Sequence, residues 1–302
     1  MAELTEKIKS LKKEKKAVIL AHCYQNAEID EVADFVGDSL YLSQMAAKTD
    51  ADIIIFAGVY FMAQTAKILS PDKKVLLPRM EAGCAMADMI NLAQLREFKA
   101  KHPDIPAVCY INSTAEVKSE CDICCTSSNA LKIVESLGAE KVLFLPDKYL
   151  GKWVESKLSG VEVITYDGCC PVHHRIVAED ILHIKKLYPE AKVLTHPECR
   201  REVTELSDYV GSTTGIMKFA KENSARQFVI ATEKGVIDRL RRDCPDKTFI
   251  PVKENLVCES MKCTTLEDIY KALVEEKYEI NVDRALSEKA LLCIDRMLEV
   301  SK

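Results

Sequence analysis

The chain lacks the features that mark membrane, secreted and nucleic-acid-binding proteins. No apolar run approaches the roughly 18 residues that a helix needs to cross a bilayer, and no N-terminal segment resembles a signal peptide. Long basic clusters are also missing, and the net charge is -5. The one basic run, Lys12 to Lys16, includes Glu14 and is typical of a solvated helix face. We therefore expect a soluble cytoplasmic protein without nucleic-acid or membrane partners.

Cysteine, in contrast, is abundant. A chain of 302 residues with 13 cysteines and no secretory signal favours metal binding or catalysis over disulfide bonds. Four of the cysteines lie in apolar or helical segments and are predicted to be small core residues: Cys23, Cys109, Cys199 and Cys293. Functional cysteines are therefore to be sought among the others.

Polar residues recur three times along the chain at nearly fixed offsets. The second copy follows the first by 86 or 88 residues, and the third follows the first by 174. The four series are His22, Tyr110 and His196; Tyr24, Asn112 and Glu198; Ser39, Ser127 and Thr213; and Cys84, Cys170 and Cys258. Because these side chains are chemically active, we predict three related units around an axis, with one cysteine from each unit at a common point.

Each unit is predicted to contain three strands that alternate with three helices. Continuous apolar runs suit parallel strands that are buried on both faces. The predicted strands are Ala17–His22, Asp52–Phe56 and Val75–Leu77; Ile105–Tyr110, Lys141–Leu145 and Val161–Thr165; and Ala191–His196, Gln227–Ala231 and Thr248–Pro251. This pattern predicts an α/β fold of three pseudo-threefold-related, three-layer α/β/α domains with small parallel sheets and the active site at the central axis. A single eight-stranded barrel is the alternative fold, but eight equivalent strand–helix units cannot be divided into three equal repeats.

The domain boundaries and the ligand class follow from the same repeat. The predicted domains are 1–98, 99–184 and 185–265, with C-terminal helices over 266–302 that pack on the core. A turn rich in serine and threonine opens a helix in each unit, and the predicted N-caps are Ser39, Ser127 and Thr213. Helix N-termini bind phosphate and carboxylate groups. Three convergent helix starts therefore predict a polyanionic small molecule.

The three repeated cysteines indicate an iron–sulfur cluster. Three thiolates are an incomplete set for a structural zinc ion, which normally has four ligands. They suit a 4Fe–4S cluster whose fourth iron is open to substrate and acts as a Lewis acid. A rival metal site is the C-x-x-C-C motif of Cys121, Cys124 and Cys125. It lacks a second pair at zinc-ribbon spacing, so core packing is the favoured interpretation of that motif.

The other repeated residues have hydrogen-bonding and acid–base side chains. Those suited to hold carboxylate oxygens are His22, His196 and Asn112, and those suited to move protons are Tyr24, Tyr110 and Glu198. An electropositive cluster nearby would keep Glu198 ionised as a base. His173 breaks the threefold pattern, but it lies three residues after Cys170 and is predicted to face the pocket, with His174 facing away.

Short motifs that span nearly the whole chain carry a family resemblance. They are His22-Cys23-Tyr24-Gln25, Gly37-Asp38-Ser39-Leu40, Gly58-Val59-Tyr60-Phe61-Met62-Ala63, Gly83-Cys84-Ala85-Met86-Ala87-Asp88, Tyr110-Ile111-Asn112-Ser113, Thr126-Ser127-Ser128-Asn129-Ala130, Cys170-Pro171-Val172-His173, His196-Pro197-Glu198-Cys199 and Met261-Lys262. In these motifs the chain resembles quinolinate synthase, the family that builds the pyridine ring for NAD. The resemblance implies three pseudo-equivalent domains around one 4Fe–4S cluster with Cys84, Cys170 and Cys258 as its ligands.

The resemblance also implies a reaction. Iminoaspartate would condense with dihydroxyacetone phosphate and lose phosphate and two waters to give quinolinate, and a transient L-aspartate oxidase or dehydrogenase partner would donate the iminoaspartate. The residues that would bind substrate are His22, Ser39, Tyr110, Asn112, Ser127, His196, Glu198 and Thr213, and those that would handle protons are Tyr24, Tyr110, Glu198 and His173. Two residues depart from the family pattern. Cys169 replaces an aromatic residue and Cys263 replaces Met or another apolar residue, and either thiol would compete for iron or form an oxidised pair.

Two other functions remain as alternatives. A diphthamide-synthase-like protein also has three similar domains with one cluster cysteine each, but it needs a pocket for S-adenosylmethionine and a face for a partner protein. An iron–sulfur sensor or electron carrier usually closes its cluster with four cysteines and does not surround it with acid–base groups.

Overall fold

The fold consists of three small parallel sheets flanked by helices. The structure, a computed structural model, describes residues 2–302. Each sheet has four strands, and the strand orders are β2-β1-β3-β4, β6-β5-β7-β8 and β10-β9-β11-β12. The strands are β1 Ala17–His22, β2 Phe35–Gly37, β3 Ile53–Ala57, β4 Lys74–Leu76, β5 Ala107–Tyr110, β6 Ile123–Cys125, β7 Lys141–Leu145, β8 Glu162–Thr165, β9 Lys192–Thr195, β10 Tyr209–Val210, β11 Gln227–Ala231 and β12 Thr248–Pro251. The common strand order confirms three related α/β/α units and excludes the single barrel.

The helices lie on both faces of these sheets and after the last of them. They are α1 Ala2–Glu14, α2 Ser39–Lys48, α3 Tyr60–Leu69, α4 Leu92–Ala100, α5 Ala115–Lys118, α6 Ala130–Ser136, α7 Lys148–Lys157, α8 Pro171–His174, α9 Ala178–Leu187, α10 Arg201–Glu205, α11 Thr213–Glu222, α12 Gly235–Asp243, α13 Glu259–Lys262, α14 Leu266–Glu275 and α15 Arg284–Val300. Short 3-10 turns cover Ala27–Glu31 and Ala87–Met89. No helix within residues 2–302 combines the length and the apolar character that crossing a membrane requires.

The central strands are apolar because both of their faces are buried. In β1, Ile19, Leu20 and Ala21 have no solvent exposure, and neighbouring side chains pack into different clusters on the two faces of the sheet. The predicted strands β1, β7, β11 and β12 have the predicted bounds, and the others differ by one or two residues at their ends.

Each unit contains one strand that was not predicted from its sequence. The missed strands β2, β6 and β10 have two or three residues and lie at the edge of their sheets, beside the first strand of the unit. Such short segments carry no apolar periodicity, and each leads directly into a polar turn, so they resemble loops in sequence. Their parallel pairing with the first strand brings the polar turn next to the carboxyl end of that strand.

The two C-terminal helices pack on different units. The buried face of α14 includes Ile269 and Leu273, which join Ile8 of α1 and Ile19 of β1 in one apolar cluster. Helix α15 packs against β6 and α5 of the second unit. The chain end therefore covers the outer faces of the first two units and leaves the carboxyl ends of the strands free to form a site.

Candidate active site

A cavity of about 240 Å³ lies where the carboxyl ends of the strands of all three units meet. Every residue that the sequence analysis assigned to the site lines it: His22, Tyr24, Ser39, Cys84, Tyr110, Asn112, Ser127, Cys170, His173, His196, Glu198, Thr213 and Cys258. The fold thus brings the four repeated series to one place. His174 is not among the lining residues and instead pairs with Tyr149 and Arg200.

The cavity holds one cysteine from each unit, and we call Cys84, Cys170 and Cys258 the axial cysteines. They lie in the loops that follow β4, β8 and β12. Cys170 and Cys258 are the N-cap residues of α8 and α13, and Cys84 lies three residues before the 3-10 turn Ala87–Met89. Burial raises the pKa of Cys84 to about 12 and that of Cys258 to about 11, and it raises the pKa of Cys170 well above its usual range. Backbone N–H groups of the following turn point at each sulfur and oppose this rise. These N–H groups favour thiolates, the form that binds metal.

The axial cysteines are too far apart for a single metal ion. Thiolates around one zinc ion lie roughly 3.8 Å apart, given Zn–S bonds of about 2.3 Å. Within residues 2–302, the one set of three ligand atoms that lie within 4.8 Å of one another belongs to Cys170, His173 and Glu198. At least one pair of the three axial sulfurs is therefore more than 4.8 Å apart, wider than the spacing around a single zinc ion.

Two fully buried acids hold the loops of the second and third axial cysteines. Asp147 accepts a hydrogen bond from the backbone N–H of Cys170 at 3.1 Å, and Glu233 accepts one from the backbone N–H of Cys258 at 3.4 Å. Both acids follow the third strand of their unit in chain order, β7 or β11, by two residues. Val59 has the equivalent place in the first unit, so the Cys84 loop has no such acid.

Two histidines present the same ring nitrogen to the cavity. The backbone N–H of Tyr24 donates to Nδ1 of His22 at 3.1 Å, and that of Glu198 donates to Nδ1 of His196 at 3.3 Å. Because Nδ1 accepts, the proton of each neutral ring is on Nε2. Burial lowers the pKa of His22 to about 4 and that of His196 to about 3. Both rings are therefore neutral hydrogen-bond donors near pH 7.

A buried carboxylate lies between a tyrosine and a histidine from the second unit. Tyr110 donates its hydroxyl to Glu198 at 2.5 Å, and Nδ1 of His173 lies 2.7 Å from the other carboxylate oxygen. Burial opposes ionisation of Glu198, but His196, His173 and the Tyr110 hydroxyl lower its pKa well below the usual range. The His173 ring also stacks on that of His196, with centroids 4.6 Å apart. Glu198 is therefore an ionised base that accepts a hydrogen bond from Tyr110 and lies against the His173 ring.

A chain of hydroxyl groups extends from His173 to the other side of the cavity. Thr232 lies 2.8 Å from Nε2 of His173 and 3.1 Å from the Tyr24 hydroxyl, which in turn lies 3.0 Å from Thr213. Burial and the Glu198 charge raise the pKa values of Tyr24 and Tyr110 well above their usual range. Both phenols therefore carry their protons, and the chain connects them through Glu198.

The predicted helix caps are wrong by one position or more. The N-caps of α2 and α11 are Asp38 and Ser212, whose side chains accept from backbone N–H groups three residues later. Ser39 and Thr213 are the first helical residues, and Ser127 lies in the turn before α6. Adjacent residues such as Asp38 and Ser39 are both suited to capping, so residue type alone does not select the cap. As a consequence, the hydroxyls of Ser39, Ser127 and Thr213 do not cap their own helices.

The polar residues at this site that were not predicted include Asp38, Arg175 and Glu233, which line the cavity, and Thr232, which contacts Tyr24 and His173. Thr232 directly follows β11, so the rule that ligands lie beyond strand carboxyl ends would have found it. Among the cavity-lining residues, which all lie within 2–302, Arg175 is the only lysine or arginine, and it is exposed. The other units have Thr126 and Ser212 at the position of Asp38, so the repeat did not reveal it. The position of Glu233 is acidic in the second unit, Asp147, but not in the first, Val59, so it does not recur in all three units.

A second group of thiols lies in the interior, and we call Cys109, Cys121, Cys124 and Cys293 the core cysteines. Cys124 and Cys293 have sulfurs 3.2 Å apart, and Cys109 pairs with Cys124 in the register of β5 and β6. The C-x-x-C-C motif therefore belongs to the packing of the second unit, as do the predicted core residues Cys109 and Cys293. Cys169 and Cys263, the two departures from the family pattern, do not line the cavity.

The fold and the site define an α/β enzyme that surrounds three convergent cysteines with neutral histidines, tyrosines and one ionised carboxylate. A family model described as quinolinate synthetase A protein matches residues 6–299. Proteins named quinolinate synthase from Alkaliphilus metalliredigens and Dehalococcoides mccartyi are each 53% identical over 297 residues, covering 98% of both chains. The one from Thermodesulfovibrio yellowstonii is 48% identical over 293 residues, covering 97% of both chains.

The chain belongs to the quinolinate synthetase A family. The relatives that match over nearly the whole chain are named for the synthesis of quinolinate. The resemblance found in the sequence motifs is thereby confirmed, and neither the diphthamide-synthase-like function nor the sensor function is favoured.

Proposed function

We propose that the axial cysteines bind one 4Fe–4S cluster and that the other residues of the cavity bind the substrates and move their protons. The observation that carries this proposal is the convergence of all four repeated series on one cavity. The proposed reaction joins iminoaspartate with dihydroxyacetone phosphate and loses phosphate and two waters to give quinolinate. This is group-transfer chemistry, so we assign the enzyme to the transferases.

The donor set supports a cluster with one open iron. Three thiols converge, their spacing exceeds that of one tetrahedral ion, and amide N–H groups point at each sulfur. No fourth cysteine lines the cavity among residues 2–302. When bound, such a cluster supplies a Lewis acid that polarises a hydroxyl or carbonyl oxygen of the substrate.

The neutral histidines and the hydroxyls are suited to bind the carboxylate and phosphate groups. His22 has its Nε2–H available for a ligand, and Nε2 of His196 lies 3.2 Å from the Ser127 hydroxyl, another proposed ligand. Both rings stay neutral at every pH above their lowered pKa values. Ser39, Ser127 and Thr213 add hydroxyl donors. The Oδ1 atom of Asn112 is buried and without a partner within the protein, so it is ready to accept a hydrogen bond from a substrate hydroxyl or amine.

Glu198 is the base to which both tyrosines connect. A proton taken from substrate by the Tyr110 oxygen is compensated when the Tyr110 hydroxyl hydrogen moves to Glu198, at 2.5 Å. On the other side, Tyr24 reaches the same carboxylate through Thr232 and His173. The two phenols can therefore return protons to different atoms of the substrate during isomerisation and dehydration.

The compartment and the donor enzyme are also part of this proposal. All 13 cysteines are free thiols, which is typical of a reducing compartment and supports a cytoplasmic location. The imine of iminoaspartate hydrolyses readily, so a transient L-aspartate oxidase or dehydrogenase partner would supply it. The three sheets support domains over 1–98, 99–184 and 185–265, with the helices over 266–302 as a C-terminal addition.

An anaerobic assay tests the proposal. The protein is reconstituted with iron and sulfide and supplied with iminoaspartate and dihydroxyacetone phosphate, and quinolinate is quantified, with Cys84→Ala as the matched variant. We expect quinolinate from the parent and none from the variant. Equal quinolinate yields from parent and variant would overturn the role of Cys84.

A further inference from the structure

The carboxylate of Asp38 connects all three units beside the cavity. One oxygen accepts from the backbone N–H of Tyr41 at 3.1 Å and caps α2. The other oxygen accepts from the hydroxyl of Ser128 in the second unit and from that of Thr214 in the third, each at 2.7 Å. The side chain is nearly buried, with 8% exposure. One residue therefore holds three parts of the molecule that are distant in sequence.

The three residues that meet at this carboxylate are each adjacent to a proposed substrate ligand. Asp38 precedes Ser39, Ser128 follows Ser127, and Thr214 follows Thr213. The hydrogen bonds of Asp38 therefore fix the backbone next to each of these hydroxyls. The other units have Thr126 and Ser212 at the position of Asp38, and those short side chains are neutral.

The charge of Asp38 is otherwise unfavourable for the ligand. The substrates are anions, and one arginine, Arg175, is the only permanent cation among the cavity-lining residues within 2–302. A carboxylate that lines the same cavity repels an anion. Its position is explained if the contacts that it makes with Ser128 and Thr214 contribute more to binding than the repulsion removes.

We infer that Asp38 is a positioning residue that holds the hydroxyls of Ser39, Ser127 and Thr213 in one arrangement across the three units. This inference rests on the proposed function, in which those hydroxyls bind the anionic groups of the substrates. It assigns to Asp38 no contact with the reacting atoms.

The test compares two substitutions that separate the contacts from the charge. Asp38→Ser introduces the residue that the third unit has at this position, and it keeps a capping hydroxyl but is too short to bridge Ser128 and Thr214. Asp38→Asn removes the charge but keeps a side chain of the same length. The probe is quinolinate, the dianionic product, titrated calorimetrically into the reconstituted protein, and KM and kcat are measured alongside.

The inference predicts that Asp38→Ser raises the Kd of quinolinate about tenfold, since two charge-assisted hydrogen bonds are lost. It also predicts a smaller rise for Asp38→Asn, and an increase in KM that exceeds the change in kcat. Tighter binding by both variants would show that Asp38 acts through repulsion alone. Unchanged binding by both variants would show that Asp38 acts only as the N-cap of α2. Either of these results overturns the inference.

Further variants keep the test decisive. Ser128→Ala with Thr214→Val removes both hydroxyl donors and leaves the cap intact, and we expect this pair to reproduce the effect of Asp38→Ser without adding to it. Asp283→Ser is the matched control, because Asp283 caps α15 and makes no contact between units. If Ser39→Ala and Ser127→Ala weaken quinolinate binding but Asp38→Ser does not, the inference about Asp38 is wrong and the proposed binding site stands. If none of the three weakens it, the proposed binding site fails as well.

Discussion

The axial cysteines and the core cysteines are both groups of thiols brought together by the fold, but their surroundings differ. The axial cysteines come from three units, lie at helical turns whose N–H groups point at sulfur, and face a cavity. The core cysteines come from the second unit and α15, and three of the four are almost completely buried. Among them, burial raises the pKa of Cys109, but the Cys121 and Cys124 thiols and Lys118 lower it overall.

The difference shows that proximity of thiols does not define a metal site. The sulfurs of Cys124 and Cys293 are only 3.2 Å apart, yet none of the core cysteines lines the cavity where the three units meet. Buried Lys118 donates to the carbonyl of Ser113 and lies over the Phe61 ring, so it too contributes to packing. We therefore assign the core cysteines to stability and the axial cysteines to chemistry.

Replacing an axial cysteine should have the largest effect on iron binding and on quinolinate formation. Cys170→Ala is expected to reduce the iron content of the reconstituted protein to near zero and abolish quinolinate formation, because two thiolates do not retain the cluster. Iron analysis and the quinolinate assay measure this, with Cys293→Ala as the matched core variant. Equal iron content in the two variants would show that the axial and core cysteines do not differ in iron binding.

Replacing the proposed base should reduce turnover but leave the iron in place. Glu198→Gln retains a side chain of the same shape but cannot take the proton from Tyr110, so kcat is expected to fall about 10²- to 10⁴-fold. The exposed Glu202→Gln variant in the same unit is the control. An unchanged kcat with full iron content would refute the role of Glu198 in proton transfer.

The acids behind the axial cysteines should affect how long the iron is retained. Asp147→Asn and Glu233→Gln place an amide N–H₂ against one of the backbone N–H groups that each acid now binds, so the cysteine loops lose a support. We expect iron to be lost to a chelator about 10- to 100-fold faster, by analogy with groups that orient metal ligands. Glu254→Gln, at an exposed site, should match the parent. Parent-like rates in the first two variants would contradict the support role.

The buried histidines should make the fold sensitive to acid. Their pKa values fall from 6.5 in the unfolded chain to about 4 for His22 and about 3 for His196. The unfolded chain therefore binds more protons below pH 6.5, and the free energy of unfolding falls as pH falls through this window, by about 1.4 kcal/mol per pH unit for each histidine.

Denaturant unfolding of the iron-free protein between pH 4 and 7 measures this slope. His22→Gln and His196→Gln should each flatten it, while the exposed His183→Gln should not. A slope that is identical in all three variants would show that these histidines are not the buried neutral groups described above.

Replacing a core cysteine should have the smallest effect. Cys293→Ala removes a buried sulfur and leaves a small void, so the free energy of unfolding is expected to fall by about 1 kcal/mol. Chemical denaturation measures this, and iron content and kcat should match the parent. Loss of iron in this variant would mean that the core cysteines take part in cluster binding.

The sequence predicted the repeat and the site composition because these depend on residue type at fixed spacing. Apolar runs such as β1 and β11 and the positions of the axial cysteines belong to this class. The edge strands β2, β6 and β10 are too short to carry a pattern, and they form because the first strand of each unit offers a free edge. The cap residues differ from those predicted because two suitable side chains are adjacent in the chain.

Contacts between units were beyond the sequence analysis. Asp38 reaches Ser128 across 90 positions of sequence and Thr214 across 176, and no local pattern records such pairs. Thr232 likewise connects Tyr24 with His173 only through the packing of three units. These residues have different counterparts in each unit, so the repeat that revealed the site could not reveal how it is held together.

The most direct test of the central claim is the Mössbauer spectrum of protein reconstituted with isotopically labelled iron, recorded with and without quinolinate. Three cysteine ligands at the axis predict a single 4Fe–4S cluster in which one iron site changes its signal when quinolinate is added. A spectrum of mononuclear iron, or of a four-iron cluster that quinolinate leaves unchanged, would contradict the assignment of Cys84, Cys170 and Cys258 as the three ligands of an open cluster.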